Sequence, residues 1–401
     1  MRHTSALALG SALSGLLAYV FFAVVSRALG ASAAAPVSVL WTYWSFASAA
    51  LTFPIQHWAS RAVAVHRGES VLRRTLPSLA GVAAAVAVVA TVVAWLLRAP
   101  LFGRTDAAFP LLVGGVTLGA AAMGLVRGVL SARQRFTAVA AGLFGENAVR
   151  CLVVGALVAV GAQAPVAYGL ALLAGYVVVA QPSAYTLGRT GGDAADSPFS
   201  FLSAAAGGQL LGQTVLTGGP VVVALAGGAP AEVTALFAAL ALFRAPYTLA
   251  LGVVAQVTGW LARLVVERRL DTLRATRRRL LVLAVVGSVA AAGVGALLGP
   301  WLLRLVFGSG VDLGRGLAAV IAAASTVAIA NLVTTLLLLA HGRTSRLVVA
   351  WVLALVPGAI CLALPFAGGL GRTCWAFLTI ELVALVLLLW AAAREAAALD
   401  G

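Results

Sequence analysis

The sequence predicts an all-α polytopic membrane protein with about twelve transmembrane helices in two six-helix bundles. Three observations predict it. First, 62% of the 401 residues are hydrophobic and only 10% are charged, with a mean hydropathy of +1.05. A soluble chain of this size has no interior able to hide so much apolar surface. Second, uncharged stretches recur along the whole chain. Each is close to the roughly twenty residues that cross a hydrocarbon core of about 30 Å. Third, the basic residues gather in short loops on alternate sides of those stretches. That placement answers the net charge of +15, which would otherwise suggest a nucleic-acid partner.

The spans read as 5–28, 37–58, 78–97, 109–130, 138–160, 166–187, 200–226, 232–258, 280–303, 314–339, 347–366 and 373–393. The N-terminal stretch reads as the first span and not as a signal peptide, because its apolar run is too long for an h-region. All 27 basic residues are arginine. Arg27, Arg98, Arg104, Arg304, Arg315 and Arg372 fall on one side, Arg127, Arg150 and Arg244 lie within spans, and the other 18 fall on the opposite side. The richer side is expected to be cytoplasmic, which puts both termini there. The longest loop, 259–279 (GWLARLVVERRLDTLRATRRR), reads as a basic amphipathic helix on the inner leaflet between spans eight and nine.

The chain echoes itself at distances of 200 to 210 residues. LTFPIQHWASR (51–61) precedes LGVVAQVTGWL (251–261), PLFGRTD (100–106) precedes LVFGSGVD (305–312), and LVRGVLSARQRF (125–136) precedes TLLLLAHGRTSR (335–346). Six spans per half give both halves one orientation. This is a parallel pseudo-two-fold repeat, here divided as 1–190 and 191–401, with a site expected between the halves near the midplane.

No catalytic constellation is visible. There is no phosphate-binding Gly-rich motif, the four histidines lack acid or thiol neighbours, and Cys151, Cys361 and Cys374 have no metal-ligand spacing. Neither enzyme activity nor a cofactor is expected. Cys361 and Cys374 flank one short loop, a spacing that would permit a disulfide.

The intramembrane charges are therefore the chemistry to explain. Arg244 lies one residue from the midpoint of span eight, where a guanidinium costs about 2.5–3.5 kcal/mol on insertion scales. Pro246 is expected to bend the helix beside it, with Tyr247 and Thr248 as polar neighbours. Two readings stand: a cation lining a wet cavity, or a structural partner of Glu381. Glu146 and Arg150, four apart in span five, are expected to pair. Glu381 and Glu146 are also the only intramembrane acids available for ion coupling. Arg127 is close enough to the end of span four to snorkel outward. Asn331 reads as an interhelical hydrogen bond. Gln56, and Gln209 with Gln213, are placed either to bond a polar substrate or to tie helices together.

SRALGASAAAPVSVLWTYWSFASAALTFPIQHWASRAVAVHRGE (26–69) resembles the first-to-second helix segment of polysaccharide flippases, the Wzx-like exporters of the MOP superfamily. GGAPAEVTALFAALALFRAPYTLALGVVAQVTGWLAR (227–263) resembles their seventh-to-eighth segment. The first loop departs from the family pattern: ASAAAPVSVLW lacks its Gly-Pro or acidic Gly-Leu-Tyr.

The resemblance implies a MATE-like fold with spans one, two, seven and eight around a central cavity. It implies a polyprenyl-pyrophosphate-linked oligosaccharide as substrate, flipped outward across a bacterial cytoplasmic membrane for surface polysaccharide synthesis. Arg244, Arg27, Gln56, Gln213 and Tyr247 would then contact that substrate. The implied partners are the lipid-linked oligosaccharide, the bilayer, and glycosyltransferases and a polymerase of the same pathway, around a monomer. The rival expectations are a cation-coupled MATE multidrug exporter and a major facilitator transporter. The loop SRAVAVHRGESVLRRT lacks the latter's Asp-Arg signature.

Overall fold

The structure is a computed structural model that describes residues 2–66, 69–188, 202, 210–251, 264, 267, 269–340 and 344–398. Contacts divide the chain into two units, Met1–Leu225 and Ala226–Gly401.

The first unit begins with α1 (Arg2–Ala47), which breaks at Gly30 with φ 74° and ψ 165°. Side chains with a Cβ rarely adopt that backbone, so the break sits where a glycine permits it. The two arms carry the first two expected spans. The second arm runs through a π-helical turn, Ser48–Thr52, into α2 (Phe53–His66). Next come α3 (Ser70–Leu96), the short α4 (Arg98–Phe102), α5 (Ala108–Ala132) and α6 (Phe136–Ala159). Span six is not the unbroken helix expected over 166–187. It is α7 (Pro165–Ala174), a 3₁₀ turn Gly175–Val179 and α8 (Pro182–Tyr185). Of span seven, residues 210–217 are helical and α9 covers Gly219–Leu225.

α5 is the centre of this unit, with 72% of its apolar window buried. It approaches the π-helical turn and α2 closely because it shows them glycine. A Cβ on Gly124 would lie 2.7 Å from the Thr52 carbonyl oxygen, and one on Gly128 would lie 2.6 Å from the Ala59 Cβ. Small residues at such crossings let backbones meet in a solvent that offers no hydrophobic drive.

The second unit opens with α10 (Pro230–Phe243) and α11 (Ala245–Leu251), two pieces of span eight separated at Arg244. Then follow α12 (Leu270–Phe307), α13 (Arg315–Ala340), α14 (Thr344–Ala363) and α15 (Gly369–Ala398). α13 packs on α12 and α15, and α14 packs on α15. One expectation is corrected here. Residues 270–279 do not form a separate interfacial helix; they are the first turns of α12 and run unbroken into span nine. Residues 252–263 of the expected linker lie outside the described residues.

Eight described helices are long and apolar enough to cross a membrane, one of them the double stretch Gly10–Val63. With the shorter Pro165–Val179 and Pro230–Phe243 and the described part of span seven, this fits twelve helices. Their outer faces carry exposed aliphatics, among them Val88, Val89, Leu283, Val289 and Val356. Trp–Arg pairs mark the ends: Arg98 lies 4.6 Å from the Trp95 ring centroid and Arg394 lies 3.8 Å from that of Trp390. Such pairs suit the membrane–water boundary. The three thiols are free, so the Cys361–Cys374 bond is not formed.

Candidate functional site

Each unit buries one cluster of charge. In the first, Glu146 on α6 receives two arginines. The Arg127 Nη2 on α5 lies 2.6 Å from Glu146 Oε2, and the Arg150 Nη2 lies 2.6 Å from Oε1. The expected Glu146–Arg150 pair is therefore present. Arg127, expected to snorkel outward, is instead turned inward and only 8% exposed. The reason is electrostatic: Glu146 Oε2 offers Arg127 a charge-assisted bond within the unit.

Arg150 is the best supported of the three. Its Nε donates to the Leu172 carbonyl at 2.9 Å and its Nη1 to Asn147 Oδ1 at 3.1 Å. Asn147 Nδ2 in turn donates to Ser14 Oγ at 2.8 Å. The guanidinium also lies 4.8 Å from the Trp44 ring and 5.7 Å from the Tyr176 ring. Gly175, where span six leaves α-helical geometry, makes room for it: a Cβ there would meet Arg150 Nε at 2.5 Å. By contrast, Arg127 Nε has no hydrogen-bond partner among the described residues.

The second cluster is built on Asn331 of α13 and Glu381 of α15, 1% and 0% exposed. Asn331 Nδ2 donates to Glu381 Oε2 at 2.7 Å and to the Glu381 carbonyl at 2.8 Å. This is the interhelical bond expected of Asn331. Among the described residues, two acceptors, Glu381 Oε1 and Asn331 Oδ1, have no donor.

Arg244 lies near this carboxylate. It sits between α10 and α11, where its backbone N–H is shared by the Leu240 and Leu242 carbonyls. Pro246 lacks a backbone N–H, and its ring opposes a straight helix through Leu242. The side chain is half-buried, and its Nε donates to the Leu240 carbonyl at 3.1 Å. Tyr247 lies near both Arg244 and Glu381. Glu381 nevertheless takes Asn331 as its hydrogen-bond partner.

The other expected site residues stand on separate helices. Arg27 is exposed, three residues before the Gly30 break, and Gln56 on α2 is half-buried. Gln213 is half-buried and spends its carbonyl on Thr217 Oγ1 at 2.8 Å. Gln209 lies outside the described residues.

Sequence reasoning missed a further charge device, at one end of the first unit. Arg133 grips Glu69 with two bonds, Nε to Oε1 at 2.6 Å and Nη2 to Oε2 at 2.8 Å. Gly188 N also donates to Glu69 Oε2, at 2.7 Å, and Arg133 donates to the carbonyls of Ser183 and Thr186. Three connections of the unit are thus fastened at one carboxylate. The Arg133 hydrogen bonds hold the Glu69 carboxyl below its ordinary value. The signal for this was the acid in SRAVAVHRGE, the lone carboxylate in an otherwise basic loop.

No family model matches the chain, and no curated protein matches it. Solved structures do. One is described as the inward-facing conformation of a multidrug resistance MATE family transporter of the MOP superfamily. It matches 97% of this chain and 95% of its own, at 14% identity and a TM-score of 0.71. The eukaryotic MATE transporter AtDTX14 matches 99% and 97%, at 17% identity and a TM-score of 0.60. A MOP superfamily transporter from Pyrococcus furiosus, described as having a binding pocket of reverse polarity that suggests a different function, matches 100% and 96%, at 13% identity and a TM-score of 0.58. Identity this low speaks for architecture alone: the chain is a multi-pass membrane protein with the helical fold of MATE transporters.

Proposed function

We propose that this chain is a transporter that moves a polyprenyl-pyrophosphate-linked oligosaccharide from the cytoplasmic to the outer leaflet by alternating access. The observation that carries the reading is Arg244. It is a cation in a helix break near the middle of a span, half-buried, with Tyr247 beside it. Its planar fork suits a diphosphate and stays charged at any pH. Both intramembrane acids are placed the other way: Glu146 is 3% exposed and held by two arginines, and Glu381 is fully buried. A cationic drug would need an accessible acid; an anionic head needs an accessible cation. The Pyrococcus furiosus transporter fits this contrast, since a binding pocket of reverse polarity is attributed to it.

In this reading Arg27, Gln56, Gln213 and Tyr247 meet the saccharide and diphosphate as the substrate passes. Glu381 is the coupling group, because a proton or small cation is what two donorless buried oxygens lack. The setting is a bacterial cytoplasmic membrane, with the glycosyltransferases and polymerase of surface polysaccharide synthesis upstream and downstream.

The second reading is multidrug export, which the names of the MATE structures favour. Complementation separates the two. A strain lacking its lipid-linked oligosaccharide flippase should recover surface polysaccharide with the native chain and not with Arg244→Ala, at equal membrane abundance. Full rescue by Arg244→Ala removes Arg244 from the mechanism. Resistance to cationic dyes without polysaccharide rescue establishes the second reading.

A further inference from the structure

We infer that the start of α12 is a binding site for the headgroup of an anionic phospholipid of the bilayer. α12 has 38 residues and is about 57 Å long, well beyond a hydrocarbon core of about 30 Å. Its first ten residues, LDTLRATRRR, therefore project past the apolar part.

Their orientation is fixed by packing. Leu273 is 3% exposed and joins Leu336, Leu337, Leu338, Leu388 and Ala391 in one buried cluster at the ends of α13 and α15. The opposite face is left outward. There Arg274, Ala275, Arg278, Arg279, Val282 and Leu283 line a groove of about 760 Å³. The arginines stand on the first turns, while Val282 and Leu283, 53% and 66% exposed, stand on the next. Charge thus gives way to aliphatic surface in the direction in which a phospholipid changes from phosphate to acyl chain.

The charges also need an explanation of their own. Arg274, Arg277, Arg278 and Arg279 crowd the end of a helix whose dipole already favours anions. Like charges four apart repel. Arg274 pairs with Asp271 at 3.3 Å, and Asp271 is fully exposed. Among the described residues, neither Arg278 nor Arg279 has an acid partner. A lipid phosphate supplies the missing anion, and arginine presents a fork to it. A role in topology alone would require the charges but neither the groove nor the ordered descent to exposed aliphatics. The inference does not depend on what the chain transports.

Native mass spectrometry of the delipidated protein titrated with phosphatidylglycerol tests it. The double variant Arg278→Ala, Arg279→Ala should bind phosphatidylglycerol about 25-fold more weakly, at about five-fold per arginine. Phosphatidylcholine binding should not change. Arg73→Ala with Arg74→Ala, two exposed arginines at the start of α3, is the charge-matched control and should leave the affinity within about two-fold. All four residues are outside the buried clusters, so neither variant threatens folding. Equal loss in both double variants would replace the site with diffuse surface charge. Displacement of phosphatidylglycerol by equimolar undecaprenyl diphosphate would give the groove to a different lipid. Either result overturns the inference.

Discussion

The Glu146 cluster makes an asymmetric prediction. Glu146→Gln removes the one anion and strands two guanidiniums, Arg127 at 8% exposure and Arg150 at 0%. Leaving a buried charge without its partner costs about 3–5 kcal/mol. For a unit of 225 residues, each kcal/mol corresponds to about 2–4 °C, so the fall in melting temperature should be on the order of 10 °C. Arg127→Met acts on the same ion pair but leaves a neutral Glu146–Arg150 pair behind. It also removes Arg127 Nε, a buried donor without an acceptor among the described residues, whose presence costs about 1–3 kcal/mol. Its fall should stay under about 5 °C. The assay is thermal denaturation of the detergent-solubilised protein followed by size-exclusion fluorescence. A drop for Arg127→Met as large as that for Glu146→Gln would refute the reasoning, because it would mean the second arginine is as necessary as the acid.

Other outcomes follow from the same geometry. The Glu69 carboxyl is held below its ordinary value of 4.5, so its contribution is full above that pH and is lost as pH falls through the lowered value. Acid should therefore destabilise the native protein below about pH 4.5. Glu69→Gln should be less stable at pH 7 and show a shallower acid slope; an unchanged slope would sink the idea. Gly124→Val places its Cβ 2.7 Å from a backbone oxygen of Thr52 and should cost about 1–3 kcal/mol by driving α2 from α5. A native melting temperature would show that the crossing yields freely. Glu381→Gln should preserve substrate binding and abolish the response of transport to a proton or sodium gradient. A retained response would leave the coupling role without support.

Hydropathy made the spans legible because the bilayer imposes one length and one composition on every crossing helix. The breaks were less legible. Pro246 announced the one at Arg244, because proline acts locally. The 3₁₀ turn at Gly175 was silent, since GYVVV reads as apolar helix; that turn packs against Arg150, a residue 25 positions away. Arg127 was misread for a similar reason. Distance to the helix end suggests snorkelling, but the tight α5–α6 turn, with Gln134 at φ 58°, brings Glu146 within reach. Hairpin register would have found that pair. The protruding start of α12 looked like a separate interfacial helix because its arginines interrupt the apolar pattern without breaking the helix.

The account turns on an anionic, lipid-linked cargo recognised through Arg244. The most direct measurement is translocation of a fluorescent polyprenyl-pyrophosphate oligosaccharide in proteoliposomes, read as loss of signal to a membrane-impermeant quencher. The native chain should flip the lipid, and Arg244→Ala should slow it at least about tenfold with unchanged reconstitution. No flipping by the native chain, together with efflux of a cationic dye that is insensitive to Arg244→Ala, would contradict the account.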